Sequence, residues 1–180
     1  MNHLRRDRSF RCRLMLIGSA ATLLSCIGCE SADADEADMD PRTTFGPDSA
    51  IQLSVDEIEW QPGPDSLEEG AEYAVLEGDP GSSGIFVMRL KLPDGFEIAP
   101  HTHPNFERVT VISGTFNLGH GSTFNREEAT ELPAGSFTCM PPGMEHYAFA
   151  EGETVIQLTS HGPWEIHYID PDNDPRERSE

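Results

Sequence analysis

The sequence predicts an all-β chain, a sandwich or barrel of about eight to ten short strands. Three observations carry this. From Ile51 to Ile169 the chain falls into short runs rich in β-branched and aromatic residues. Turn formers separate the runs: Pro62-Gly63-Pro64, Gly78-Asp79-Pro80-Gly81, Pro93-Asp94-Gly95, Pro133-Ala134-Gly135 and Pro141-Pro142-Gly143. No long stretch has helical periodicity, and no internal repeat is visible.

The first elements are not part of that body. Arg5, Arg6, Arg8, Arg11 and Arg13 precede an uncharged run of 12 residues, Leu14–Ser25. Such a run is too short to span a bilayer and suits a signal peptide, residues 1–25. Leu23-Leu24-Ser25-Cys26 resembles a bacterial lipoprotein box, which implies a lipid on Cys26; Cys29 is the alternative. The chain is therefore expected to be exported, periplasmic or at the cell surface, and tethered to a membrane. Glu30–Asp40 carries six acids in eleven residues. Self-repulsion should keep residues 26–48 extended, a disordered N-terminal segment ahead of the barrel. Of Cys12, Cys26, Cys29 and Cys139, no structural disulfide is expected, and Cys139 is expected buried and inert in a strand.

The body is assigned to residues 49–170, followed by a polar tail, 171–180. Of 180 residues 37% are apolar, enough for a packed core. Twelve basic against 32 acidic residues give a net charge of −20, which argues against a nucleic-acid binder. Residues 1–29 carry +4 and residues 30–180 carry −24. Expected strands are Ile51–Trp60, Glu72–Leu76, Ile85–Leu92, Arg108–Ser113, Thr115–Leu118, Ser136–Met140, His146–Ala150, Thr154–Ser160 and Trp164–Ile169. Asn125–Glu131 could make one helical turn.

The chemistry lies in residues 95–114, GFEIAPHTHPNFERVTVISG. His101 and His103 are two apart, so an extended chain points both imidazoles to one face. Glu107 follows at the entry to the next strand, and His146 comes later, in PPGMEHYAFA. Three imidazoles and a carboxylate suit a divalent transition metal and leave positions open for water, O₂ or a chelating substrate.

These segments resemble the two cupin motifs. Gly95, His101, His103, Glu107 and Gly114 fit the first motif, and Gly135, Pro141, Gly143 and His146 fit the second. Ala150 stands where that family usually has an asparagine that is not a ligand. The gap of twenty residues, Thr115–Ala134, suits a small single-domain cupin. Trp60–Pro64 and Leu76–Pro80 are similar, more loosely, to segments of small stand-alone cupins. The resemblance implies a cupin-type double-stranded β-helix, or jelly-roll barrel, with metal on His101, His103, Glu107 and His146. Many cupins dimerise by edge-strand pairing, so a homodimer is an expectation.

Alternation extends the reading. If Glu107 points inward, so do Val109 and Val111; with His146 go Ala148 and Ala150. On the strand before His146, either Thr138 and Met140 or Phe137 and Cys139 face in. Gly114 and Gly143 suit turns with positive φ. Arg89 is read as an outward cation, and His120, His161 and His167 as surface or rim groups. No phosphate loop, G-x-S-x-G elbow or H-E-x-x-H is present. A metal-dependent oxygenase is the first functional expectation, with one divalent ion, Fe(II) favoured over Mn, Ni or Zn. The small-molecule ligand would itself coordinate the metal. A non-catalytic binding module and a metal-dependent isomerase or lyase are the alternatives.

Overall fold

The structure is a computed structural model that describes residues 50–178. The expected signal, tether and lipid-bearing cysteines lie outside the described residues. Nine strands follow in chain order: β1 Gln61–Pro62, β2 Glu72–Glu77, β3 Gly84–Leu92, β4 Glu97–Thr102, β5 Glu107–His120, β6 Thr130–Pro133, β7 Phe137–Met140, β8 His146–Gly162 and β9 His167–Tyr168. The remaining regular structure, among the described residues, is three short 3₁₀ turns, so the all-β expectation holds.

Every pairing is antiparallel. Two long strands organise the barrel. The first half of β5 pairs with β7 and with the second half of β8. Beyond a bulge, the second half of β5 pairs with β6 and with the first half of β8. One side of the barrel therefore runs β1-β2-β3-β8-β5-β7 and the other β6-β5-β8-β4-β9. Two expected strand pairs, Arg108–Ser113 with Thr115–Leu118 and His146–Ala150 with Thr154–Ser160, are thus single bent strands.

The bend in β5 turns on Gly114, whose φ is +75°; Gly143 is likewise positive at +74°. A Cβ on Gly114 would lie 2.5 Å from both the Glu153 carbonyl oxygen and Thr154 Oγ1. The Thr154 hydroxyl accepts from the Thr115 N–H at 3.1 Å and ties the two bends together.

Alternation places the core. Phe86, Met88, Leu90 and Leu92 of β3 are buried, while Val87, Arg89 and Lys91 between them are not. Val109 and Val111 face in with Glu107, as expected. Ala148 and Ala150 do so with His146, but Tyr147 and Phe149 are buried too. A loop covers their outer face: Phe124 packs on both rings, Arg126 lies 4.2 Å from the Phe149 centroid, and Tyr147 Oη donates to the Asn125 carbonyl at 2.7 Å.

Several expectations are corrected. Ile51–Trp60 is not a strand. Ser54 and Glu57 form a capping box that turns Val55–Glu57 into a 3₁₀ helix, and pairing begins only at Gln61. Ile51, Leu53 and Val55 stay exposed, so their alternation meets no partner surface. β4 and β6 were not among the expected strands; the turn near Asn125 is 3₁₀ over Arg126–Glu128, and β6 starts two residues later. The expected Trp164–Ile169 strand shrinks to His167–Tyr168. Cys139 lies in a strand as expected, but it is exposed. Met140, one residue on, is buried opposite Glu107, and that sends Cys139 outward opposite Arg108 as a free thiol. The alternation in β7 thereby selects Thr138 and Met140 as the inward pair.

The segment after β9 folds back. Arg176 Nη2 donates to the Ile166 carbonyl at 2.9 Å, and Arg178 pairs with Glu68. Tyr168 Oη donates to the Ser66 carbonyl at 2.8 Å. Burial, with Asp174 and Glu68 nearby, pushes this phenol up to about 12.

Two outcomes are expected. Gly114→Ala should cost about 2 kcal/mol or more, from left-handed strain plus the clash, read as a lowered urea midpoint at unchanged m. Tyr168 is neutral in both states below about pH 10. Above that the unfolded phenol ionises first, so stability should fall as pH rises from about 10 to about 12. Tyr168→Phe should flatten that limb of the stability curve and cost about 1 kcal/mol at neutral pH.

Candidate metal centre

Four side chains from three segments meet inside the barrel. His101 is the second-last residue of β4, His103 lies just past that strand, Glu107 opens β5 and His146 opens β8. Their exposures are 3%, 4%, 7% and 2%, unusual for polar groups without a shared purpose. His101 pairs across the sheet with His146, and Glu107 with Met140, so each register places a ligand-type residue on the inner face.

The distances are short. His101 Nε2 lies 3.1 Å from His103 Nε2. Glu107 Oε2 lies 3.4 Å from His103 Nε2 and 3.2 Å from His146 Nε2. The ligand-type nitrogens of the three histidines all fall within 4.8 Å of one another.

Backbone carbonyls orient the rings. His101 Nδ1 is 2.7 Å from the Ala99 carbonyl, His103 Nδ1 2.7 Å from Glu165 and His146 Nδ1 2.9 Å from Met144. A carbonyl only accepts, so each Nδ1 carries the proton and each Nε2 turns a lone pair inward. Two such lone pairs 3.1 Å apart repel unless a cation stands between them. His146 Nε2 is buried and has no hydrogen-bond partner in the protein; Glu107 Oε2 stands 3.2 Å away, and with the proton on Nδ1 both atoms are acceptors. The donor set and its tautomers therefore fit a divalent metal ion.

The electrostatics agree. Burial, then the charges of His146 and His103, hold His101 down to about 3. Burial also lowers His103. Burial opposes ionisation of Glu107, but His103, His146 and His101 together hold it at about 2. For His146 burial is outweighed by Glu107, which raises it. The cluster thus offers a carboxylate beside two imidazoles, His101 and His103, that resist protonation.

A narrow cavity of about 20 Å³ adjoins the four residues. Leu67, Leu90, Ile98, Phe116, Leu118, Ala148, Ile156 and Ile166 give it an apolar wall. Of the alternating residues expected inside, Ala148 lines it, while Val109 and Val111 are packed in the core. Arg89 faces outward, its Nε 3.3 Å from Gln157 Oε1. His120, His161 and His167 are exposed, and His167 pairs with Glu165 at 2.8 Å.

Sequence reasoning missed the parts that come from the C-terminal segment. Trp164 stacks on His103, with ring centroids 5.0 Å apart and planes 22° from parallel, and the Glu165 carbonyl orients that ring. Leu67 closes the cavity from a segment before β2. The signals were thin: a lone tryptophan after Gly162-Pro163, and a leucine in an acidic stretch.

Comparison with known proteins adds a family and a fold. The ChrR cupin-like domain family matches residues 48–165. Germin-like protein 5-1 of Oryza sativa subsp. japonica is 30% identical over 96 residues, 53% of this chain and 43% of that protein. The chain thus spans less than half of the germin-like proteins it matches. The polyketide cyclase RemF from Streptomyces resistomycificus superposes with a TM-score of 0.59 at 14% identity, over 72% of this chain and 92% of that one. An acetylacetone dioxygenase from Acinetobacter johnsonii gives 0.54 at 18%, over 73% and 85%. At such identities the likeness shows a shared fold, which hosts more than one chemistry.

Proposed function

Because the chain belongs to the ChrR cupin-like domain family, we propose that it is a metal-dependent oxygenase acting on a small organic molecule that coordinates the metal. The observation that carries this is the convergence of four buried donors with all three imidazole lone pairs turned inward. His101, His103, Glu107 and His146 would hold the ion. Fe(II), the favoured metal, would supply Lewis acidity and an electron source when bound; Zn would supply the first of these alone.

The chain's own residues bind, orient and exclude water. The apolar wall keeps bulk solvent from the reacting molecule and strengthens every charge interaction inside it. Glu107 offsets part of the charge of a divalent ion. The carbonyls of Ala99, Met144 and Glu165 fix the rings that present the lone pairs. Beyond the four ligands the cavity wall offers no carboxylate, lysine or further histidine. A reaction that leans on a protein acid or base, such as sugar isomerisation, therefore has less to work with here. The same scarcity favours a second reading, a non-catalytic module that captures a metal-chelating molecule.

Elemental analysis of the protein purified anaerobically without chelators tests the first reading. About one iron per chain, with O₂ uptake on small phenols, diketones or thiols, is the expected result; zinc with no turnover would favour the binding module. His103→Ala should weaken metal affinity on the order of 100-fold or more while the circular dichroism stays that of the folded barrel. Unchanged metal content would overturn the ligand set.

The chain's place in the cell is part of the proposal. The arginine-flanked apolar run and the box ending at Cys26 support export and a lipid anchor. Cys26→Ser should release the protein from the membrane fraction of cells that express it, and Cys29→Ser should not. The reverse result would move the lipid to Cys29.

A further inference from the structure

The metal cavity, at about 20 Å³, has room for about one water molecule. The four donors beside it are buried. A hydrated divalent ion is larger than that space, so it reaches the donors only if part of the wall moves. Most of the wall stands on β3, β4, β5 and β8, each held by a neighbouring strand on both sides. Leu67 is different. It is the one buried residue of the loop Pro64–Gly70, and that loop joins no strand. The loop is pinched at its base, where the Gly63 N–H donates to the Ala71 carbonyl at 2.7 Å. A Cβ on Gly63 would lie 2.9 Å from that carbonyl oxygen, so the pinch needs glycine. Within the loop, the Leu67 N–H donates to the Pro64 carbonyl at 2.9 Å and keeps the tip folded on itself. The C-terminal segment holds the tip down. Ser66 and Glu68 flank Leu67; Tyr168 Oη donates to the Ser66 carbonyl at 2.8 Å, and Arg178 pairs with Glu68. The polar tail thus grips the plugging leucine from both sides. Both ties are weak: one is a single hydrogen bond, the other an ion pair between half-exposed side chains.

We propose that the loop Pro64–Gly70 is a flap over the metal cavity. Leu67 is its plug, Tyr168 and Arg178 are its latch, and a divalent metal ion reaches the four donors when the flap lifts. This rests on the metal reading of His101, His103, Glu107 and His146.

The test mixes full-length, metal-free protein with Co(II) and follows the cobalt absorbance. The parent, Leu67→Ala, Tyr168→Phe and Tyr147→Phe are compared for uptake rate and for Co(II) per chain. All four should end with one Co(II), since none of these side chains is a ligand. The parent's rate should level off as Co(II) is raised, because opening then sets the pace. Leu67→Ala trims the plug and should raise that rate about tenfold or more. Tyr168→Phe keeps the ring near His101, 6.0 Å between centroids, and loses only the tie. Its rate should rise about fivefold, the weight of one hydrogen bond. Tyr147→Phe controls for general loosening: it loses a phenol–carbonyl bond of 2.7 Å to Asn125, away from the flap, and should stay within about twofold of the parent. A parent rate still proportional to Co(II) at millimolar concentration, or an unchanged rate in Leu67→Ala, would overturn the flap. An unchanged rate in Tyr168→Phe would overturn the latch, as would an equal rise in Tyr147→Phe. A parent that takes up no Co(II) would overturn the metal reading instead. Should Leu67→Ala lose its melting transition, Tyr168→Phe against Tyr147→Phe decides.

Discussion

The registers of β5 and β8 with their neighbours turn two of the four site residues to the inner face. Glu107 is the first residue of one strand and His146 the first of the other, and the two strands belong to both sides of the barrel. A slip of one residue in either register would turn its ligand-type side chain outward, together with every apolar neighbour on that face. The burial of Val109 and Val111 beside Glu107, and of Ala148 and Ala150 beside His146, opposes that slip. Core hydrophobicity thus aims the carboxylate and the imidazole. The bend at Gly114 lets one strand serve both sides without breaking the run of paired backbone.

The third and fourth residues depend on a different constraint. His101 and His103 flank the end of β4, where the register is already irregular. Their directions are set by carbonyls of Ala99 and Glu165. The Glu165 link ties the ring of His103 to a segment more than sixty residues away in the chain. The site is therefore a meeting of sheet register and loop carbonyls, and both are needed to turn three lone pairs toward one point.

Much of this was legible because it rests on period-two alternation. The spacing of His101 and His103, the inward set with Glu107 and the barrel itself all follow from which face a strand residue takes. What was not legible depends on neighbours distant in sequence. Ile51, Leu53 and Val55 alternate like a strand, yet no strand lies beside them and the Ser54–Glu57 box prevails. Cys139 was placed in a strand, but the choice of face waited on Met140 opposite Glu107. Tyr147 and Phe149 are buried on the outer face because the Phe124 loop crosses it. The stacking of Trp164 on His103 comes from a segment whose local pattern suggested only a last strand.

The charge of the chain beyond residue 29 has a consequence for what can arrive at the site. Residues 30–180 hold 31 acidic and seven basic side chains. A field of that sign concentrates divalent cations near the surface and turns anions away, more so in dilute salt than at physiological ionic strength. Such a field favours the approach of free metal ions over that of phosphorylated and carboxylated molecules before any contact is made, and it leaves uncharged molecules unaffected.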